Sequence, residues 1–153
     1  MEKTIVCGVD GSAESEAALV VAARLADSVG ARLVVANVAE QVHTPYAALG
    51  ATGAGIPAPP PADVLQAQVR AGERLLEEMT QRANIETAER RVVTGIPAQR
   101  LADVADEVDA AFIVVGSRGR GAFKAAILGS VSKDLMGVAG RPVLVVPARA
   151  NGS

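Results

Sequence analysis

The chain has 153 residues, of which 50% are hydrophobic, 21% charged and 2% aromatic, and its formal net charge is −2. These values predict one globular domain with a sizeable core and exclude a disordered chain. The 15 basic and 17 acidic residues nearly balance and Trp is absent, so neither a basic field nor a base-stacking surface favours nucleic acid as a partner.

Strands and helices are predicted to alternate along the chain. Four of the strands are continuously apolar, which is typical of strands covered on both faces in a parallel sheet, whereas the third is mixed and is expected near a solvated edge. In chain order the predicted elements are strand 4–9, helix 12–29, strand 33–38, helix 63–83, strand 85–93, a short helix from 97, strand 111–115, helix 130–138 and strand 143–146. This alternation predicts an α/β domain with a single doubly wound, five-stranded parallel sheet of order 3-2-1-4-5 and helices on both faces.

Four residues are predicted to mark the ends of helices. Ser12 and Asp63 precede the first two helical patterns and are predicted as N-caps, because their side-chain oxygens can accept from unpaired N–H groups. Pro97 suits the first position of the third helix, and Gly30 suits the end of the first.

The stretch 39–62 is unusually rich in glycine and proline. A loop this long in a compact domain is usually mobile or functional, and two interpretations stay open: a flexible surface insertion, or a flap over a ligand. The last residues, 148–153, are predicted to form a frayed tail. No run of about eighteen uncharged apolar residues occurs, so no membrane span is expected.

The chain has one cysteine, Cys7, and one histidine, His43. A single cysteine cannot form an intrachain disulfide, and the first residues look like a strand and not like a signal peptide, so we expect a reducing compartment and not a secreted setting. Cys7 is predicted to be a small buried hydrophobe, and His43 lies in the loop without an acid or Ser partner. Neither a zinc site nor a hydrolytic triad is therefore expected.

A glycine-rich motif follows the fourth predicted strand. Its spacing is Gly116, two residues, Gly119, nine residues and then Gly129-Ser130. Glycines let backbone N–H groups approach an oxyanion, and the helix that follows offers unpaired N–H groups and a favourable dipole. The motif thus predicts a site for a di- or triphosphate, with Ser132 as a further hydroxyl donor. The alternative is that the glycines only permit the turn and that Ser130 only caps the helix.

The motif is also the most basic stretch of the chain, with Arg118, Arg120 and Lys124. Arg120 and Lys124 are expected to be solvated more than phosphate-bound. The motif is not a Walker A loop, because no Gly-Lys-Ser/Thr closes it, and it is not the dinucleotide fingerprint, because it follows the fourth strand and not the first.

A second turn, 8–12, follows the first strand and contains Asp10. In the order 3-2-1-4-5 the first and fourth strands are neighbours, and their crossovers diverge to opposite faces, which opens a crevice at their carboxyl ends. The Asp10 turn and the glycine motif are then expected to face one crevice of nucleotide size. The alternative is that Asp10 and Ser12 only start a helix.

The motif Gly116-x2-Gly119-x9-Gly129-Ser130, followed by Val131-Ser132, resembles the ATP-binding signature of the universal stress proteins. The opening 5–12, the turn 95–98 and the ending 141–147 are also similar to that family. The resemblance covers about 4–147, and we interpret 1–147 as a universal-stress-protein-like nucleotide-binding domain that contains the loop 39–62.

The resemblance implies a cytoplasmic homodimer that binds ATP and acts in stress or growth-arrest signalling. It implies that adenine lies by the backbone at Val38, and that Asp10 lies near the ribose and any Mg²⁺. Arg118 stands where relatives often carry His or another polar residue, and it keeps a phosphate-compatible donor. The nucleotide-binding residues implied are Val9, Asp10, Val38, Gly116, Arg118, Gly119, Gly129, Ser130, Val131 and Ser132.

The last strand, Val143–Val146, is predicted at a sheet edge, where an apolar and uncharged strand is a poor choice. We hypothesise that it pairs with its own copy in a symmetric dimer.

The leading functional interpretation is an ATP-binding regulatory protein whose bound state is read by an unidentified protein partner. Two alternatives stay open: a slow ATP hydrolase of the related adenine-binding α/β group, although no general base is visible, and a nucleotide-free dimeric interaction module.

Overall fold

A computed structural model describes residues 2–40, 60–118 and 128–148. These residues form one five-stranded parallel sheet of order β3-β2-β1-β4-β5, which confirms the predicted fold class. The strands are β1 (Thr4–Gly8), β2 (Arg32–Glu40), β3 (Glu89–Gly95), β4 (Ala110–Gly116) and β5 (Val143–Val146). The helices are α1 (Ala13–Val29), α2 (Ala62–Arg82), α3 (Pro97–Glu107) and α4 (Ser130–Val138).

Side chains of the central strands alternate between two apolar layers. On β2, Leu33 and Val35 pack in the layer that contains α1 and α2, whereas Val34 and Ala36 pack in the layer that contains α3 and α4. All five residues of β1 are buried. The continuous apolar runs of the sequence therefore mark strands that are covered on both faces, as expected for a parallel sheet between two helical layers.

The predicted helix ends are confirmed except one. Ser12 precedes α1 and its Oγ accepts from the Ser15 N–H at 3.2 Å, and Gly30 ends α1 in the left-handed conformation. Pro97 is the first residue of α3. Asp63 is not an N-cap: α2 already begins at Ala62, after Pro61, and has no side-chain cap. The fixed φ of proline suits the entry to a helix, so Asp63 lies inside the first turn instead.

The third strand lies later in the chain than predicted. It begins at Glu89 and ends at Gly95, not at 85–93, and Ile85 packs against the α1–α2 layer instead. Its place at the sheet edge is as expected. The charged side chains of this strand form ion pairs there: Arg91 Nε lies 2.5 Å from Glu89 Oε1 of the same strand, and Arg91 Nη1 lies 3.1 Å from Glu107 Oε2 of α3.

The predicted loop 39–62 is shorter at both ends. Ala39 and Glu40 extend β2 by pairing with Thr94 and Gly95, and Ala62 begins α2. The remainder of that loop, 41–59, lies outside the described residues, as do Gly119, His43 and the tail from 149. Within the described ranges no helix is long and apolar enough to cross a membrane.

Candidate functional site

The sheet contains the topological switch that the sequence predicts. β1 pairs with β2 on one side and with β4 on the other. The helix after β1 packs in one layer, and the helix after β4 packs in the other, through Leu135. Crossovers that diverge in this way leave a crevice at the carboxyl ends of the two strands, and Asp10 and Gly116 both lie there.

The turn after β1 is fixed by hydrogen bonds on both sides. The Val9 N–H donates to the Ala36 carbonyl at 2.9 Å, and the Val9 carbonyl accepts from Asn37 Nδ2 at 2.9 Å. Both backbone groups of Val9 are thus engaged within the protein, and its side chain is 5% exposed. Val9 therefore fixes the turn to β2, and the Asn37 side chain contributes to this by its hydrogen bond to the Val9 carbonyl. Sequence reasoning did not single out Asn37.

Asp10 is oriented by the same turn. Its Oδ1 accepts from the Ser12 N–H at 2.9 Å, and its own N–H donates to Ser15 Oγ at 3.3 Å. Gly11 between them has φ of +85°, a conformation that favours glycine because a Cβ would be strained there. The half-buried carboxylate is therefore presented at the start of α1 in one orientation.

The second turn contacts the first through Gly116. A Cβ at Gly116 would lie 2.7 Å from the Glu14 carbonyl carbon, 2.8 Å from Glu14 Cβ and 2.9 Å from the Ser15 nitrogen. The first glycine of the motif therefore lets the first turn of α1 pack against the end of β4. This contact places the two predicted turns against each other, and the phosphate approach expected of Gly116 stays a prediction.

The beginning of α4 is tied to the end of β4 through one carbonyl. The Ser117 carbonyl accepts from the Gly129 N–H at 2.7 Å and from Ser132 Oγ at 3.2 Å, and Ser132 Oγ also lies 3.0 Å from the Gly129 carbonyl. Ser132 is 2% exposed. Its hydroxyl proton is thus used to hold the turn, and the Ser117 N–H is used by the Val146 carbonyl at 2.8 Å.

The residue that caps α4 is Gly129 and not Ser130. Gly129 has extended dihedral angles and no side-chain cap, and Ser130 is the exposed first residue of the helix. Val131 is half-buried against the α3–α4 layer. The N–H groups of a first helical turn have no acceptor within the helix, and the dipole favours a negative charge there. The end of α4 that faces the crevice therefore has the polarity of an anion site.

An ion pair joins the two turns. Arg118 Nη2 lies 3.8 Å from Glu14 Oε1, and the side chains are 32% and 17% exposed, respectively. Arg118 was a predicted phosphate contact, whereas Glu14 lies in the first turn of α1 and was not a candidate. The predicted adjacency of β1 and β4 brings the two turns together, but no local pattern indicates that these two side chains pair.

The remaining predicted residues lie at the edges of this site or outside it. Val38 is half-buried on β2 and contacts the α3–α4 layer, and the pairing of Gly8 with Ala36 puts it level with Asp10 along the sheet. Gly119 falls in the part of the motif that is not described. Among residues 2–40, 60–118 and 128–148, no group of three or more His, Cys, Asp or Glu side chains is arranged to hold a metal ion.

Cys7 lies beneath the site in β1 and is fully buried. Burial raises the pKa of its thiol to about 12, because an apolar environment penalises the thiolate. A reactive cysteine needs a stabilised thiolate and access to solvent, and Cys7 has neither. Its predicted role as a buried hydrophobe is confirmed.

Comparison with known proteins agrees with this fold along nearly the whole chain. Residues 1–147 match the model of the universal stress protein family. A universal stress protein of Thermus aquaticus, encoded 3′ of a QAH/OAS sulfhydrylase, is 32% identical over 146 residues, which cover 95% of this chain and 99% of the relative. The stress response protein NhaX of Bacillus subtilis is 29% identical, and the match covers 93% of this chain and 96% of the relative.

A solved structure of a universal stress protein in complex with cAMP is also similar. It is 27% identical to this chain, superposes with a TM-score of 0.67, and the match covers 96% of this chain and 98% of the other. The family match spans the strands, the Asp10 turn and the whole glycine motif. The chain therefore belongs to the universal stress protein family.

Proposed function

We propose that the chain binds an adenine nucleotide, with ATP as its ligand, in the crevice between the Asp10 turn and the start of α4. The observation that carries this proposal is the contact of Gly116 with the Glu14–Ser15 backbone, because it joins the two turns into one site. A family member that is 27% identical was crystallised in complex with cAMP, which supports an adenine nucleotide as the ligand class.

The phosphates are assigned to the beginning of α4. Gly129, Ser130 and Val131 bring backbone N–H groups to this end, and Ser130 adds an exposed hydroxyl. Gly119 is assigned to the same phosphates from its place in the motif. A helix N-terminus stabilises an anion by about 0.3–1 kcal/mol in exposed positions and more when partly buried, so several such contacts are needed for firm binding.

The nucleoside is assigned to the other side of the crevice. Asp10 is held with its carboxylate at the start of α1, where it suits a ribose hydroxyl or an Mg²⁺ ion bound to the phosphates. Val38 lies level with it on the neighbouring strand and offers an aliphatic and backbone surface to adenine. No aromatic ring is needed for this arrangement.

The biological role that we propose is regulatory. The chain belongs to a family whose members include a stress response protein, and we propose that nucleotide occupancy changes its conformation or its binding to a protein partner in the cytoplasm. A homodimer is proposed through β5, which pairs with β4 on one side only in the described sheet and exposes 38% of Leu144. An open edge of this kind can pair with a second copy.

The test is nucleotide binding by the purified protein. Native mass spectrometry of the protein as purified, followed by calorimetry with ATP and cAMP, measures both the bound species and the affinity. We expect Gly129→Val to weaken ATP binding at least about 10-fold, equivalent to about 1.4 kcal/mol, because a branched side chain obstructs the approach of a phosphate to the backbone.

The matched control is Gly137→Val in the same helix. A Cβ at Gly137 meets no atom within 4 Å, and the residue lies at the opposite end of α4. We expect ATP affinity to be unchanged in this variant. Absence of co-purified nucleotide together with no measurable heat for either nucleotide would overturn the proposal and favour an interaction module without nucleotide.

A further inference from the structure

The Glu14–Arg118 pair introduces a negative charge into the crevice beside the motif that we assign to phosphates. Glu14 Oε1 lies 3.8 Å from Arg118 Nη2, and only 17% of the Glu14 side chain is exposed. A partly buried carboxylate is screened less by solvent than a surface one, so it acts more strongly on charges nearby.

Glu14 cannot easily withdraw from this place. Its Cβ and carbonyl carbon lie against Gly116, where they occupy the volume that a side chain at 116 would fill. The same first turn is anchored by the hydrogen bonds between Ser12 and Ser15. The backbone of Glu14 is therefore fixed against Gly116, the last residue of β4. Ser117 and Arg118 follow directly after Gly116 in the chain.

We propose that Glu14 is a positioning residue that sets the charge of the nucleotide this site prefers. The carboxylate holds the Arg118 guanidinium, so a phosphate that binds at Arg118 must share it with Glu14. The disadvantage grows with each further phosphate charge, because the attraction that a guanidinium held by Glu14 no longer gives to the ligand is proportional to the ligand's charge. Glu14 thus lowers the affinity for ATP relative to AMP by a few-fold without excluding ATP as the ligand, and this inference rests on the proposed nucleotide function.

The test compares ATP and AMP affinities in Glu14→Gln, which keeps the size of the side chain and removes its charge. An ion pair of this kind is worth up to about 1 kcal/mol, which corresponds to about 5-fold in affinity, so we expect ATP affinity to rise about 3- to 5-fold and AMP affinity to rise less than about 2-fold. The affinity ratio of the two nucleotides is the readout, because a purely structural effect would change both affinities equally.

The matched control is Glu16→Gln, which removes the same charge from the same first turn. Glu16 faces another partner, since its Oε1 lies 4.0 Å from Arg82 Nε, and 45% of its side chain is exposed. We expect the ATP-to-AMP affinity ratio to stay at the wild-type value in this variant. An equal change in Glu16→Gln would assign the effect to net charge and overturn the role of Glu14.

A double variant tests whether the effect passes through Arg118. In an Arg118→Gln background, we expect the gain of ATP affinity from Glu14→Gln to fall below about 2-fold, because the pair no longer exists. A ratio unchanged by Glu14→Gln, or a gain that persists in full without Arg118, would refute the inference while leaving nucleotide binding established. Failure of the wild-type protein to bind either nucleotide would instead refute the proposed function itself.

Discussion

Gly116→Ala is the variant that most directly tests how the two turns of the site are joined. The added Cβ would lie 2.7 Å from the Glu14 carbonyl carbon and 2.9 Å from the Ser15 nitrogen. Ordinary contacts begin at 3.4 Å, so the shortest distance is 0.7 Å too close (3.4 minus 2.7). Both atoms belong to the backbone of α1 and cannot rotate away, so the first turn of the helix must shift.

The expected cost follows from two opposing effects. Overpacking of a well-packed contact destabilises a protein by about 1–3 kcal/mol, whereas replacing glycine by alanine lowers the entropy of the unfolded chain and returns about 0.4–1 kcal/mol. We therefore expect a net loss of about 1–2 kcal/mol. For a chain of this size, each kcal/mol corresponds to roughly 2–4 °C in Tm.

The assay is urea and thermal unfolding, with Gly137→Ala as the control. Gly137 lies in α4 with open space around its Cβ position, so alanine there is expected to be neutral or to stabilise by up to about 1 kcal/mol. Gly116→Ala should therefore lower the free energy of unfolding, whereas Gly137→Ala should leave it unchanged or raise it. If Gly116→Ala is as stable as the wild-type protein, the turns are not in rigid contact, and the argument for one joined site fails.

Two further predictions concern Cys7 and β5. Burial raises the pKa of the Cys7 thiol to about 12 from an ordinary value of 9.0, so as the pH rises the thiol loses its proton in the unfolded state before it does in the folded state. The contribution of this thiol to the free energy of unfolding is therefore intact below pH 9 and falls as the pH rises toward 12. Above pH 9, the free energy of unfolding of the wild-type protein should fall by about 1.4 kcal/mol more per pH unit than that of Cys7→Ala, and equal slopes would contradict this. The Cys7 thiol should also resist thiol reagents until the protein unfolds. Leu144→Lys should convert a dimer to a monomer in sedimentation velocity at micromolar concentration, whereas Val20→Lys, at a similarly exposed position on α1, should not. A wild-type protein that sediments only as a monomer would exclude pairing through β5.

The sheet order could be predicted because the signals that specify it are local. Continuous β-branched runs indicate buried parallel strands, and Ser12, Gly30 and Pro97 mark helix ends by their own chemistry. β3 was placed wrongly because its residues are charged, and the pairing of Arg91 with Glu107 at the sheet edge is a tertiary interaction that a local pattern does not show. Asp63 was wrong as a cap because Pro61 sets the entry to α2 first.

The chemistry of the site was only partly predictable. The glycine spacing correctly indicated a helix that begins at Ser130. It did not reveal that Gly116 makes room for α1, nor that Glu14 faces Arg118, because both contacts join segments far apart in the chain. The predicted sheet order brings these segments near each other, but the individual contacts depend on how side chains and backbone pack between them, and a local pattern does not contain that information.

The hydrogen bonds that the Ser117 carbonyl accepts limit which residues of this protein can be replaced. This carbonyl holds Gly129 and Ser132 by hydrogen bonds, so the start of α4 is fixed to the end of β4 at these two positions. The Ser132 hydroxyl is buried and donates within this turn, so a residue without a donor at 132 would leave the Ser117 carbonyl with one partner fewer. Ser132 is therefore a position where the fold itself restricts substitution, whatever the protein binds.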